Sequence, residues 1–154
     1  AAVSGGSANL TAAQVANNAL NITEFNGTTA NAAIILPEAT ANSHLAIKFS
    51  ANPTDTYTLT IKAKQTAPLP SPTNGKLSIQ VIKHHKKTGN EHVLTLGTVA
   101  CPLSENLIIT PAATHNSIGQ NSIIHFYCKT AGEWLVRIDN VHQNDGTGGS
   151  ISVS

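Results

Sequence analysis

Between residues 33 and 64 the chain alternates short apolar segments with turn-type residues. Residues 56–64 show the pattern most plainly. Tyr57, Leu59, Ile61 and Ala63 fall on one face, and Thr58, Thr60, Lys62 and Lys64 fall on the other. A period of two predicts a strand with one side against a core and the other toward water. The same alternation sets Leu45, Ile47 and Phe49 against His44, Ala46 and Lys48. Residues 33–36 predict a short apolar strand stopped by Pro37. Upstream, Leu20, Ile22 and Phe25 lead into Asn26-Gly27, a tight hairpin turn signal.

Pro68, Pro70 and Pro72 keep residues 67–75 out of any central strand. This stretch predicts a loop, or a seam between two halves of one domain. Beyond it, Leu77, Ile79 and Val81 alternate, residues 84–91 read as a polar loop, and residues 92–99 return as the second arm of a hairpin. Residues 107–110, 122–128, 133–141 and 151–153 predict further strands, with a turn at Thr130-Ala131-Gly132. In 122–128, His125 and Tyr127 share one face and Ile124, Phe126 and Cys128 the other. In 133–141, Trp134, Val136 and Ile138 share a face. The sum is an all-β fold of about nine to ten short antiparallel strands, a sandwich or jelly-roll-like barrel. No repeat of fixed period stands out, which argues against a solenoid.

Residues 1–9 are small and predict a flexible N-terminal arm ahead of a single β domain over 10–154, with its seam near 67–75. Residues 10–20 read as an amphipathic helix, with Thr11 and Gln14 spaced as a capping box, or as a strand with a turn.

Composition adds a constraint on the surface. The 154 residues suffice for one domain with a real core, and 40% are hydrophobic. Only 11% are charged, against roughly a quarter in ordinary domains. Thr, Asn, Ser, Ala and Gly fill the difference, and the wealth of Ile, Val and Leu speaks for a folded chain over a disordered one. A neutral, hydroxyl- and amide-rich surface suits packing against other copies, because few charges are desolvated when surfaces meet. A net charge of +1 argues against nucleic acid as a partner. No apolar run reaches the length of a membrane span, and the first residues lack the pattern of a signal peptide. The absence of methionine fits an initiator removed before Ala1, giving a protein cytosolic at birth, or cleavage of a longer precursor.

Candidate chemistry is sparse. Neighbouring strand residues point to opposite faces, so His84 and His85 do not ligate one ion with His92 unless the loop kinks. The basic run Lys83, His84, His85, Lys86 and Lys87 reads as a solvated loop tip or as a contact for an anionic surface. His125 is a packed or surface residue, or one of three symmetry copies around a zinc-binding trimer axis. Trp134 reads as a core anchor or as a sugar-stacking platform. Cys101 and Cys128 are two buried thiols or one disulfide. The sequons at Asn9, Asn21 and Asn26 matter only on a eukaryotic secretory route. The eight carboxylates show no glycosidase-like spacing, and residues 144–149 supply too few oxygens for calcium and read as a turn. No nucleophile elbow, zincin motif or P-loop is present, so no enzyme, catalytic residue, cofactor or metal is assigned.

Residues 9–64 resemble a β module recurrent in virion proteins of tailed phages. The matching positions are Leu10, Thr11, Gln14, Ala16 and Asn17, then Ile34 to Pro37, then Thr58 to Lys62. The module occurs in fibre, baseplate and capsid-decorating proteins alike and carries no catalytic residues. The resemblance implies a virion structural protein made in the host cytoplasm. The expectation is a homotrimeric cement or decoration protein on the capsid surface, bound to the major capsid protein and to other copies of itself. The alternative is a tail-fibre or spike domain that binds a host receptor or glycan. Ala1, Ala2, Val3 and Ser4 in the arm, with the run Lys83 to Lys87, are the expected partner contacts.

Overall fold

The computed structural model describes residues 2–3, 6–9, 21–25, 31–50, 58–67, 75–88, 91–97, 106–110, 121–142 and 150–153. They form twelve strands and no helix: β1 (Ala2–Val3), β2 (Gly6–Asn9), β3 (Asn21–Phe25), β4 (Ala32–Ile35), β5 (His44–Phe49), β6 (Leu59–Lys62), β7 (Lys76–Thr88), β8 (Glu91–Gly97), β9 (Asn106–Thr110), β10 (Ile123–Tyr127), β11 (Glu133–His142) and β12 (Ser150–Val153). Among the described residues no helix is long and apolar enough to cross a membrane. The stretch 10–20, expected as a helix or as a strand with a turn, Cys101 and most of the proline-rich seam lie outside the described residues.

The strands build two sheets, ordered β1-β3-β5-β10-β11-β7-β8 and β12-β9-β6-β4-β2. Alternation decides what each strand buries. Leu45, Ile47 and Phe49 on β5, Ile124 and Phe126 on β10, and Trp134, Val136 and Ile138 on β11 are fully buried. From the smaller sheet come Ile34, Leu59, Ile61, Leu107 and Ile109, and both rows join in one apolar cluster between the sheets. A residue pattern of period two buries one row per strand, so two facing sheets close one core. Trp134 stands edge-on to Phe126, with ring centroids 6.5 Å apart and planes at 83°. Its indole N–H donates to the Pro37 carbonyl at 3.3 Å, which satisfies the buried donor. Trp134 is therefore a core anchor; with no exposed surface it offers no platform for a sugar.

The expected antiparallel arrangement is corrected. Both sheets are mixed: β1, β3 and β5 run parallel, as do β2, β4 and β6, and β11 runs parallel to β7. From β1 to β6 the chain crosses to the other sheet after every strand, so each strand lies beside the one two places earlier. Ala2 registers with Glu24 and Asn21 with Leu45 in the larger sheet. Gly6 registers with Ala32 and Ala32 with Leu59 in the smaller. This half winds like a short solenoid, against the expectation from sequence. The spacings fall in the range of roughly 20–50 residues that marks such windings, but they differ from coil to coil, so no fixed period shows. The stretch expected as an arm supplies β1 and β2, the edge strands of that winding.

The expected polar loop over 84–91 is also corrected. β7 continues through the basic run to Thr88, and β8 begins at Glu91. Lys83 to Lys86 register with β11 on one side and with β8 on the other. Backbone hydrogen bonds on both flanks hold a strand regardless of side-chain polarity. The register of β7 against β11 shifts between Val136 and Arg137, so Ile82, not Val81, stands level with buried Ile138.

Turn chemistry frames the site. Gly132 takes φ +89° in the turn from β10 to β11, where the chain requires a conformation open to glycine. Its N–H donates to the Ala39 carbonyl at 2.9 Å, and the Lys76 N–H donates to its carbonyl at 3.0 Å. Asn42, at φ 67°, precedes β5, and Asn121, at φ 70°, precedes β10, in the left-handed region that asparagine tolerates.

Candidate functional site

Filling the core with Leu45, Ile47 and Phe49 turns His44, Ala46 and Lys48 outward on β5. On β10 it turns out Ile123, His125 and Tyr127, and on β11 Leu135, Arg137 and Asp139. The antiparallel register then decides who meets whom. Tyr127 lies directly opposite His44, and His125 lies between Ala46 and Arg137. Ala46 is 1% exposed yet stands outside the apolar core cluster, so it is covered from the outer face. Its single methyl leaves room for the rings above it.

Three rings gather there. His44 and Tyr127 stack with centroids 4.3 Å apart and planes at 15°. His125 lies 5.7 Å from His44 and 6.0 Å from Tyr127, again near-parallel. His44 Nε2 and His125 Nδ1 face each other at 3.4 Å. On the far side of its ring, His125 Nε2 stands 3.7 Å from Asp139 Oδ2. Asp139 Oδ1 accepts from Arg137 Nη2 at 3.3 Å. Tyr127 is 39% exposed, the one large hydrophobic side chain so exposed among the described residues.

Burial pushes the His44 pKa below its ordinary value, and the neighbouring His125 adds to the effect. Burial also lowers that of His125; Asp139 opposes the shift and Arg137 reinforces it. A neutral imidazole keeps a lone pair on one ring nitrogen, which accepts a hydrogen bond or binds a metal. Cys128, just after β10, is a buried free thiol that donates to the Thr130 carbonyl at 3.2 Å. Burial pushes its pKa up, which makes it a poor nucleophile.

On the smaller sheet, the outward residues Thr58, Thr60 and Lys62 join Asn31, Ala33 and Asn106 around an open groove of about 470 Å³. Its lining mixes hydroxyl and amide groups and the Lys62 ammonium with the methyls of Ala32 and Ala33.

Of the residues singled out from sequence, Ala2 and Val3 sit on β1 opposite Glu24 and Phe25. Ala1 and Ser4 lie outside the described residues. Lys83, His84, His85, Lys86 and Lys87 sit on β7, where Lys87 registers with His92 and Lys83 with Asp139. His84, His85 and His92 fall at separate registers of the β7–β8 ladder. Alternation alone put His125 and Tyr127 on one face. It gave no sign of His44, which is 81 residues away and arrives through the β5–β10 pairing. Set against protein-family models, curated proteins and solved structures, the chain finds no match in any of the three comparisons.

Proposed function

We propose that the chain is a structural protein of a tailed-phage virion, a cement or decoration protein that stabilises the head by binding between capsomers. The reading starts from the resemblance of residues 9–64 to virion β modules. One observation carries it further: β1 and β2 stand at the ends of the two sheets. A sheet edge presents N–H and C=O groups to which another chain adds a strand, with affinity from main-chain hydrogen bonds. The reading assigns that edge to the major capsid protein or to a second copy, in a homotrimer on the capsid surface. The groove beside Thr58, Thr60 and Lys62, whose one charge is the Lys62 ammonium, favours the same kind of contact, since little charge is desolvated when it is covered.

The test mixes the purified chain with phage shells that lack it and counts bound copies after sedimentation. Saturation at a number set by the shell lattice, with greater resistance of the shell to heat, is the expected result. Binding to isolated tails or to host cells, with none to shells, overturns it. That outcome supports the tail-fibre or spike reading instead, which draws on the polar-aromatic face of His44, His125 and Tyr127.

A further inference from the structure

We propose that His44 and His125 form an acid-sensitive latch between β5 and β10, closed while their facing nitrogens share one proton and open once each nitrogen carries its own. His44 Nε2 and His125 Nδ1 meet head-on at 3.4 Å. Two imidazoles bond in this way only when one nitrogen donates and the other keeps its lone pair. The bond therefore forms in a neutral pair, or in a pair with one imidazolium that donates. A second imidazolium removes the last lone pair from the facing nitrogens. It sets two N–H groups against each other and puts two cations on rings whose centroids are 5.7 Å apart. Like charges facing across neighbouring strands destabilise their pairing. The strands concerned are inner ones, since β10 lies between β5 and β11 in the larger sheet.

The surrounding groups set how many protons the pair accepts. On β11, Asp139 Oδ2 stands 3.7 Å from His125 Nε2, and Arg137 Nη2 donates to Asp139 Oδ1 at 3.3 Å. The carboxylate balances one proton on His125, and the arginine takes back part of that balance. On β10, Tyr127 stacks on His44 at 4.3 Å and supplies no counter-charge. On β5, the next outward charge is Lys48. On β3, Ile22 registers with Ala46, and the strand's one titratable residue, Glu24, with Lys48. On β7, Lys83 registers with Asp139. Asp139 thus serves two imidazoles and a guanidinium, enough for the first proton and too little for the second. Burial lowers the pKa of both histidines, and each also feels a neighbouring base, His125 beside His44 and Arg137 beside His125, with Asp139 opposing at His125. A pair this close titrates as one unit in two steps. The fold resists protons that the unfolded chain accepts. The pair's contribution to stability is therefore full above the ordinary value of 6.5 and is lost as pH falls from there through the folded values.

The latch does not rest on the virion reading and is tested apart from it. The ¹⁵N-labelled chain is titrated from about pH 8 to about pH 5, a window above the ordinary carboxylate range, and the imidazole nitrogens are followed by nuclear magnetic resonance. At the alkaline end, one of His44 Nε2 and His125 Nδ1 should carry a proton and the other a lone pair. On acidification the two histidines should take up protons in two linked steps, the second below 6.5. This readout uses the unaltered protein and does not depend on any variant folding. Urea unfolding over the same window should show the unfolded-to-folded ratio rising by up to about tenfold per pH unit for each of the two histidines. His44→Gln and His125→Gln should each flatten that slope. Independent titration of the two histidines at the ordinary value, or an acid slope unchanged in both variants, overturns the latch.

Discussion

Trp134→Ala removes the largest fully buried side chain, near the start of β11. Truncating a buried Trp to Ala costs about 3–5 kcal/mol through lost transfer energy and the cavity left behind. Trp134 also donates to the Pro37 carbonyl at 3.3 Å, and leaving a buried acceptor without its donor costs roughly 1–3 kcal/mol. The total is expected to be at least about 3 kcal/mol, a large part of the about 5–15 kcal/mol that holds a domain folded. Trp134→Phe separates the two contributions. It keeps a ring beside Phe126 and removes the N–H, so its cost should fall in the roughly 1–3 kcal/mol range of the unpaired acceptor. Trp134 is the sole tryptophan, so the variants are followed by far-ultraviolet circular dichroism in urea, with unchanged slope and a lower midpoint. A loss under about 1 kcal/mol in Trp134→Ala would refute the reasoning and would point to an exposed ring, the role of a sugar platform.

Other consequences follow from single observations. Gly132→Ala should cost about 1–2 kcal/mol in urea denaturation, because φ is +89° and only the backbone objects; nothing lies within 4 Å of the added methyl. A cost near zero would refute the strain argument. Cys128 should react with a thiol reagent only at the rate at which the protein opens, and fast labelling of the native chain would contradict its burial. Its raised pKa means that the folded state holds the thiol proton more tightly. Its contribution to stability is full below the ordinary thiol value and is lost as pH rises through that value toward the folded one. Cys128→Ala should flatten that alkaline slope in unfolding experiments.

The face of each central strand was legible in the sequence. Leu45, Ile47 and Phe49, then Ile124 and Phe126, then Trp134, Val136 and Ile138, all point where their alternation places them. The site was legible only in halves. His125 and Tyr127 were seen as sharing a face, but His44, Arg137 and Asp139 reach them through strand pairing. The basic run from Lys83 to Lys87 misled in the opposite sense, because its polarity suggested a loop. Ladder hydrogen bonds to β8 and β11 keep it in a strand.

The sequence by itself determined that the described strands are β and which of their side chains face the core, while burial decided that Trp134 is an anchor and not a platform. The first two are local properties, since the alternation of side chains along one strand does not depend on the strand beside it. Tertiary structure decided the partners: parallel neighbours in the winding of β1 to β6, the shift of β7 past Arg137, and the meeting of His44 with His125. Either face pattern is compatible with parallel or antiparallel neighbours. Only the packing of two whole sheets around one core selects among them.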